Sequence, residues 1–373
     1  MVRLDQPSAT PAREEPALSG SRLPRRPRLR RRTAANAGRS FTLTFIGVVL
    51  LAAFLSPLAR SVLVSIKSPD QVSQASSPVW PADPKVIDYQ GQSLTVYAVP
   101  LDGGERDLAL LTKGRASSTF VDPQDLAAPP ITWVGSWRSL TPVWTFAPQL
   151  SNYTDVWDQV NFPRLLLNTI LIALISMLGV LVSCTLVAYA FARFRFPGRN
   201  LVFMLVIATI FLPSAVTLIP TYTIFVKIGW VGTWLPLLVP AFFANAYDVF
   251  LLRQYLMTIP REMDEAAAID GAGPFRTLVS VILPQAWPVI IAVGIFHFVY
   301  SWNDFLLPTI YLVGHEDLVP LSVGLAHLSG LHNAQNPGMI QAGTMLTILI
   351  PIAFFLLFQR MFVRGIVITG VEK

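Results

Sequence analysis

Long apolar stretches alternate with shorter polar segments along the chain, and this pattern predicts its main elements. An α-helix needs about 20 mostly apolar residues to cross the hydrocarbon core of a bilayer. Six stretches reach that length: 41–66, 165–192, 201–226, 231–252, 278–303 and 339–359. We therefore expect an all-α polytopic membrane protein with six transmembrane helices.

The segments between these stretches divide the chain further. Residues 1–40 are rich in Arg, Pro, Ser and Ala, which predicts a disordered basic tail before the first helix at 41–67. Residues 68–150 contain short alternating runs with β-branched residues, separated by Gln90-Gly91 and by a predicted tight turn at Asp102-Gly103-Gly104. They predict a small β-rich insert, across roughly 83–140, between spans one and two. Residues 151–373 hold the other five helices.

Composition and charge narrow the class of protein. The chain is 53% hydrophobic and 13% charged, whereas soluble domains are about a quarter charged. Its net charge of +6 lies largely in the tail and in short loops. We therefore expect membrane lipid, and no nucleic acid, as a partner of the chain. Arginines occur in the tail, after spans two and four, and at the C-terminus, which predicts that both termini are cytoplasmic. Residues 68–150 are then extracytoplasmic, in the plasma (inner) membrane of a bacterium or archaeon.

Catalytic and metal chemistry is not indicated by any motif. Cys184 is the only cysteine, and the four histidines lack metal-binding spacing. We find no Gly-x-x-x-x-Gly-Lys-Ser/Thr phosphate loop and no complete catalytic triad. We therefore expect a chain that is not an enzyme, with no catalytic residue, no metal and no cofactor.

Polar residues inside apolar spans are the candidates for a solute pathway, because burying them in a membrane is costly. We select Asn168, His297 and Asn303. His297 has two interpretations, a hydrogen bond between helices or a contact with solute. Asp248 and Asp304 fall near the ends of their predicted spans, where solvation at the interface explains them.

The loop between spans four and five, 259–288, has an unusual sequence. Pro260, three acidic residues and Ala266–Ala268 favour a short helix, and Gly271 can end it with a positive φ. Gly273-Pro274 opens a second helix that leads into span five. Met263, Ala266, Ala267 and Asp270 have the spacing of one small helix face.

This loop strongly resembles the EAA loop of binding-protein-dependent ABC importer permeases. Glu265-Ala266-Ala267, Gly271 and Leu283-Pro284 carry the resemblance. Residues 41–68 and 144–373 are further similar to carbohydrate permeases of the maltose-transporter type, for example at Ser301-Trp302-Asn303-Asp304 and in the C-terminal tail. The long basic tail and the insert near 70–143 depart from that pattern.

The resemblance implies a cytoplasmic coupling helix that docks in a groove of an ATPase subunit. The coupling residues carried over are Met263, Glu265, Ala266, Ala267, Asp270 and Gly271. It also implies three kinds of partner: a second permease subunit, two copies of a cytoplasmic ATPase, and an extracytoplasmic solute-binding protein. The expected solute is a sugar or a related compound. A non-sugar solute and an ion-coupled secondary transporter remain alternatives, although the latter predicts two related halves and acidic residues near mid-membrane.

Overall fold

A computed structural model describes residues 29–101, 104–330 and 336–367, with side chains for 40–101, 104–328 and 336–359. The chain divides into two compact units, Met1–Pro57 and Leu58–Lys373. The described part of the first unit is the N-terminal portion of helix α1 (Leu29–Ser65). The second unit contains the end of α1 and all the other elements.

Within the described residues, five helical segments are long and apolar enough to cross a membrane: Ser40–Ser65, Phe162–Arg193, Leu235–Leu256, Pro274–Asn303 and Pro337–Gln359. Their helices are α1, α4 (Phe162–Arg193), α7 (Leu235–Leu238), α8 (Ala246–Leu256), α10 (Pro274–Thr277), α11 (Leu283–Asn303) and α14 (Pro337–Val367). A 3-10 turn, Val239–Phe242, lies between α7 and α8, and a π-helical turn, Leu278–Ile282, lies between α10 and α11. A mostly helical polytopic fold is thus confirmed.

The predicted third span is sharply bent. It consists of α5 (Arg199–Ala208), a 3-10 turn (Thr209–Phe211) and α6 (Ser214–Lys227), and the two halves meet at 97°. Pro213 lies at the break, where its missing N–H and its ring interrupt helical hydrogen bonding. The described chain therefore has five candidate spans, or six if the bent pair counts as one.

The β-rich insert between the first two spans is present. Its strands are β1 (Ala82–Pro84), β2 (Val86–Tyr89), β3 (Gln92–Leu101), β4 (Gly104–Thr112), β5 (Ser117–Val121), β6 (Ile131–Val134), β7 (Thr141–Pro142) and β8 (Trp144–Phe146). Strands β2 to β6 follow one another in an antiparallel sheet, and β7 pairs with β3. Strand β1 pairs with β8, with Pro84 opposite Trp144, so the insert begins and ends at adjacent strands.

Shorter helices complete the second unit: α2 (Pro69–Ser73), α3 (Ser151–Gln159), α9 (Glu262–Ile269), α12 (Leu306–Tyr311) and α13 (Leu321–Gly330). Helix α4 is central, because both α8 and α11 pack against it. Val249 and Leu252 of α8 and Val293 of α11 are fully buried in one core cluster with the C-terminal half of α4. Close packing of this kind holds helices together where lipid removes the hydrophobic driving force.

Several predicted boundaries lie at the limits of the described residues. Residues 1–28 of the predicted tail are outside them, whereas 29–40 belong to α1, which begins earlier than predicted because Arg and Ala favour helix. Two residues of the predicted turn, 102 and 103, and the last six residues of the chain also lie outside the described part.

Candidate functional site

A short helix, α9, lies where the sequence predicts a coupling helix, within the loop 259–288, for which we keep the name EAA loop. It runs from Glu262 to Ile269, with three acidic residues in its first turn, where the helix dipole favours negative charge. Gly271 ends it with φ = 77°, as its position after Asp270 predicted. The Gly271 N–H donates to the Ala268 carbonyl at 3.0 Å, and the Ala272 N–H donates to the Ala267 carbonyl at 2.9 Å.

The exposed side of α9 differs from the predicted face. Ala267 is only 7% exposed, so it packs against the rest of the chain and is not available to a partner in this arrangement. Met263 is 36% exposed and Ile269 is 87% exposed. The outward side of the helix is formed by Glu262, Glu265, Ala266 and Ile269, and Met263 and Asp270 lie beside it.

Two side chains at the end of α4 bind the EAA loop. Arg193 Nε lies 3.2 Å from Asp264 Oδ2 of α9, and the Arg193 side chain is 6% exposed. The contact is an ion pair without hydrogen-bond geometry. A second Arg193 nitrogen donates to the Ile259 carbonyl at 3.0 Å, and the Tyr189 hydroxyl donates to the Pro274 carbonyl at 3.2 Å. Contacts from α4 therefore hold the chain both before α9, at Ile259, and after it, at Pro274.

The second half of the EAA loop leads directly into α11. Helix α10 starts at Pro274, as predicted, and the π-helical turn passes into α11 at Leu283-Pro284. Leu278 and Ile282 of this turn are buried in the core that contains α4 and α8. The C-terminal end of the EAA loop is thus packed into the helical core, and α9 is held to α4 by the Arg193–Asp264 ion pair.

A cavity of about 630 Å³ lies between α4, the α7–α8 segment, α11 and α12. We call it the polar cavity after the polar side chains that face it, although most of its lining surface is apolar. Its lining residues are Thr169, Ile172, Ser176, Val180, Pro236, Leu237, Pro240, Ala241, Phe243, Asn245, Tyr247, Asp248, Phe296, His297, Tyr300, Ser301, Asp304, Leu307, Pro308 and Pro320. A volume of this size is typical of sites for small molecules.

Asp248 is the most buried charged group of the polar cavity, at 7% exposure. Asn245 caps α8: its Oδ1 accepts from the Asp248 N–H at 2.9 Å, and its Nδ2 donates to Asp248 Oδ2 at 2.6 Å. His297 faces the same cavity from α11, and its Nε2 is buried with no hydrogen-bond partner among the described residues. The hydrogen bond between helices that was one interpretation of His297 is therefore not made at Nε2.

The wall of the cavity beyond α11 carries a second carboxylate. Asp304 Oδ1 accepts from the Leu307 N–H at 3.3 Å, and its backbone carbonyl accepts from the Ser322 hydroxyl at 2.7 Å. Burial raises the pKa of Asp304, and backbone N–H groups of Leu307 and Leu306 partly oppose that shift. Two acidic groups thus contribute to a single cavity.

The three predicted pathway residues have different positions. His297 lines the polar cavity, whereas Asn168 and Asn303 are not among its lining residues. Asn168 Nδ2 donates to the carbonyls of Asp317 and Val319, both at 3.0 Å, and so fixes the segment before α13. Asn303 Nδ2 donates to the Val299 carbonyl of its own helix at 2.7 Å.

Asp248 and Asn245 line the cavity, although the sequence explained Asp248 by solvation at the interface and Asn245 was not selected. The predicted fourth span, 231–252, put Asp248 near its end, but the span in the structure is Leu235–Leu256 and puts it near the middle. Gly229 and Gly232 have positive φ, so the residues before Leu235 do not belong to this helical span. Prolines at 236 and 240, followed by Asn245 as a cap, were the available signal for a helix that restarts inside the membrane.

Membrane-length helices that enclose a cavity with buried polar side chains are the arrangement expected of a membrane protein that conducts a polar solute. The comparisons identify the family within that class. The chain belongs to the family of binding-protein-dependent transport system inner membrane components, which it matches over residues 179–367. Members are permease subunits of ABC transporters, transport components rather than enzymes.

Curated relatives and a solved structure agree with this family. The chain is 34% identical over 225 residues to the osmoprotective compounds uptake permease protein GgtD of Synechocystis sp. (60% of this chain, 75% of that protein). It is 36% identical over 211 residues to the sn-glycerol-3-phosphate transport system permease protein UgpE of Rhizobium meliloti (56% and 74%). A bacterial ABC transporter involved in the import of the acidic polysaccharide alginate shares the fold, with a TM-score of 0.62 at 18% identity over 87% of this chain and 97% of that one.

Proposed function

We propose that this permease subunit imports a sugar or a related polyol and is driven through α9 by a cytoplasmic ATPase. The relatives' names, which refer to osmoprotective compounds and to glycerol phosphate, support a small hydroxylated solute. The alternative is an importer of a non-sugar solute. An ion-coupled secondary transporter is disfavoured, because it gives no role to an EAA loop.

One observation carries the coupling proposal: the three main helices around the polar cavity meet at the EAA loop. Helix α8 ends just before the loop, α11 follows it, and α4 binds it through Arg193 and Tyr189. A force on α9 is therefore passed to all three helices. Because packed helices move as rigid bodies, tilting them changes which end of the cavity is open.

The assembly that this proposal requires has several subunits. A second permease subunit completes the membrane part, two copies of an ATPase bind on the cytoplasmic side, and a solute-binding protein delivers solute from outside. The family's dependence on a binding protein supports the last of these. ATP hydrolysis takes place in the partner ATPase, and the docking contacts from this chain are Met263, Glu265, Ala266, Asp270 and Ile269, with Gly271 setting the end of the helix.

The proposed organisation follows from the same topology. Residues 1–40 form a basic cytoplasmic tail, 41–67 the first transmembrane helix, 68–150 an extracytoplasmic segment with the β-rich insert, and 151–373 the permease core with five spans and the EAA loop. Both termini are then cytoplasmic, in the plasma membrane of a bacterium or archaeon. The arginines at the end of α4 and beside α9 support this orientation.

A substitution on the exposed side of α9 tests the coupling proposal. Ala266→Arg adds a long, charged side chain where an ATPase surface approaches, so we expect ATPase stimulation by the loaded binding protein and solute uptake to fall at least about tenfold. Ala127→Arg makes the same change at an exposed residue of the insert and serves as the matched control. Normal coupling in Ala266→Arg, with the complex intact, would remove α9 from its proposed role.

A further inference from the structure

A second pocket, of about 470 Å³, lies at the start of α5 and beside the beginning of the EAA loop. Its lining combines the connection between α4 and α5 with Arg261, the residue before α9. Three arginines face it: Arg195, Arg199 and Arg261. We call it the arginine pocket. It brings together two loops that are distant in sequence and concentrates positive charge between them.

The charges of the arginine pocket are not neutralised within the described part of the chain. The two ion pairs among the described residues involve none of these three arginines. Arg199 donates to the Phe194 carbonyl at 3.3 Å. A guanidinium group has five N–H donors, so most of its hydrogen-bonding capacity is left for a ligand. Because like charges in one pocket repel one another, an anion that bridges them is favoured.

The arginine pocket lies at the ends of membrane-length helices. The candidate span formed by α4 ends at Arg193, and the bent helix pair that follows begins at Arg199. The span Leu235–Leu256 ends shortly before Arg261. Side chains at such positions lie at the level of the lipid headgroups. Three cations at this level suit the phosphate group of a lipid.

An apolar surface continues from the pocket along α5. Leu201 lines the pocket and is 57% exposed, and Leu205, one turn further along the helix, is 59% exposed. Val202 and Met204 of the same helix are exposed as well. A phospholipid matches this combination, because its headgroup is joined to apolar acyl chains. A free phosphate ion or a soluble phosphate ester has no group for the apolar surface.

The neighbouring surface of α9 makes an acidic side chain of a partner protein the less suitable occupant. Glu262 and Glu265 are exposed on the outward side of α9, the side proposed to contact the ATPase. An ATPase surface complementary to these carboxylates supplies basic groups, and basic groups repel the arginines of the pocket. Charge complementarity therefore favours a lipid.

We propose that the arginine pocket binds the phosphate headgroup of an anionic phospholipid, with an acyl chain of that lipid on the exposed apolar side of α5. The bound lipid joins the α4–α5 connection to the residue before α9 and so anchors the start of the EAA loop at the membrane surface. In the topology proposed above, this surface belongs to the cytoplasmic leaflet, whose anionic lipids attract basic segments. The inference requires neither a particular solute nor coupling to ATP hydrolysis, so it is tested independently of the proposed function.

Native mass spectrometry of the full chain in a non-ionic detergent measures this binding directly. Phosphatidylglycerol and phosphatidylcholine with identical acyl chains are titrated against the protein, and an apparent Kd is determined for each lipid. Both lipids contain a phosphate group, but only phosphatidylglycerol has a net negative charge. We expect one phosphatidylglycerol molecule to bind at least about tenfold more tightly than phosphatidylcholine, since each arginine near a membrane surface contributes about fivefold in affinity.

Single substitutions assign the bound lipid to the arginine pocket. Arg195→Gln and Arg261→Gln each remove one charge and should reduce the preference for phosphatidylglycerol about fivefold. Arg261→Lys keeps the charge and should retain the preference within about twofold. Arg276→Gln removes an exposed arginine of the EAA loop that does not line the pocket, so it should bind both lipids as wild type does. Thermal unfolding of each variant shows that it is folded, and the two glutamine variants test the same site independently.

Three results would overturn the inference. The first is equal binding of the two lipids, or a preference that both glutamine variants leave unchanged. The second is displacement of the lipid by millimolar inorganic phosphate or sn-glycerol 3-phosphate at matched ionic strength, which would assign the pocket to a free anion. The third is loss of phosphatidylglycerol binding when the ATPase assembles with the chain, which would assign the arginines to an acidic surface of that subunit.

Discussion

At the scale of single residues, Gly271 shows how backbone conformation sets the end of α9. Its φ of 77° lies in the left-handed region, although an added Cβ would meet nothing within 4 Å. A valine there is therefore strained only by its backbone, at a cost of about 1–3 kcal/mol. We expect Gly271→Val to reduce uptake and binding-protein-stimulated ATP hydrolysis while membrane insertion is kept.

Two matched substitutions isolate the backbone effect at Gly271. Gly271→Asn should retain coupling, because asparagine tolerates the left-handed region far better than valine does. Gly273→Val should also retain it, since Gly273 has equal space around its Cβ and an ordinary φ of −71°. Equal losses in all three variants would show that the loop fails for another reason.

Arg193 supports a second prediction at this scale. Its side chain is 6% exposed and pairs with Asp264, which is 23% exposed. Arg193→Gln leaves the Asp264 carboxylate without its counterion and the Ile259 carbonyl without its donor, so we expect a loss of about 1–3 kcal/mol. Thermal unfolding and ATPase stimulation, measured for Arg193→Gln, Asp264→Asn and the double variant, should show strong non-additivity. Additive effects, or an equal loss in the exposed Arg276→Gln control, would contradict the pairing.

At the scale of elements, apolar length and local signals predicted most of the fold. Stretches of about 20 apolar residues located the candidate spans, and Gly271 and Pro274 marked the two short helices of the EAA loop. The 97° angle between α5 and α6 could not be predicted from Pro213. A proline removes a helical hydrogen bond, but it does not fix the direction of the helix that follows. The burial of Ala267 and the ion pair of Asp264 with Arg193 on α4 are long-range contacts, which spacing along α9 does not reveal.

The β-rich insert yields a prediction for a whole element. Strands β1 and β8 are paired at its base, and the Lys85 N–H donates to the Val143 carbonyl at 2.7 Å. Residues 86–142 can therefore be replaced by an Asn-Gly turn that closes a hairpin between Lys85 and Val143. We expect uptake within about twofold of wild type, since the permease core is separate in sequence. A variant that inserts and assembles but no longer transports would instead give the insert a role in transport, for example in receiving the binding protein.

At the scale of the whole molecule, the cavity and the EAA loop belong to one mechanical unit. Helices α4, α8 and α11 each contribute to both, so cavity-lining residues such as Asp248 and His297 lie on the helices that, in the proposed function, an ATPase would move. In the proposed function, this arrangement would pass the effect of ATP hydrolysis in a partner subunit to the cavity. It also requires that the EAA loop and the insert lie on opposite sides of the membrane.

Membrane topology is the prediction that tests this arrangement directly. Ser117 is exposed in the insert, and Asn200 is exposed just after the arginines that follow α4. Because arginine-bearing short loops stay in the cytoplasm, an impermeant thiol reagent applied to intact cells should label Ser117→Cys and not Asn200→Cys. Asn200→Cys should react only after the membrane is permeabilised. The native Cys184 is fully buried, so the unmodified chain gives the background. Labelling of Asn200→Cys but not Ser117→Cys in intact cells would place the EAA loop outside and exclude contact between α9 and a cytoplasmic ATPase.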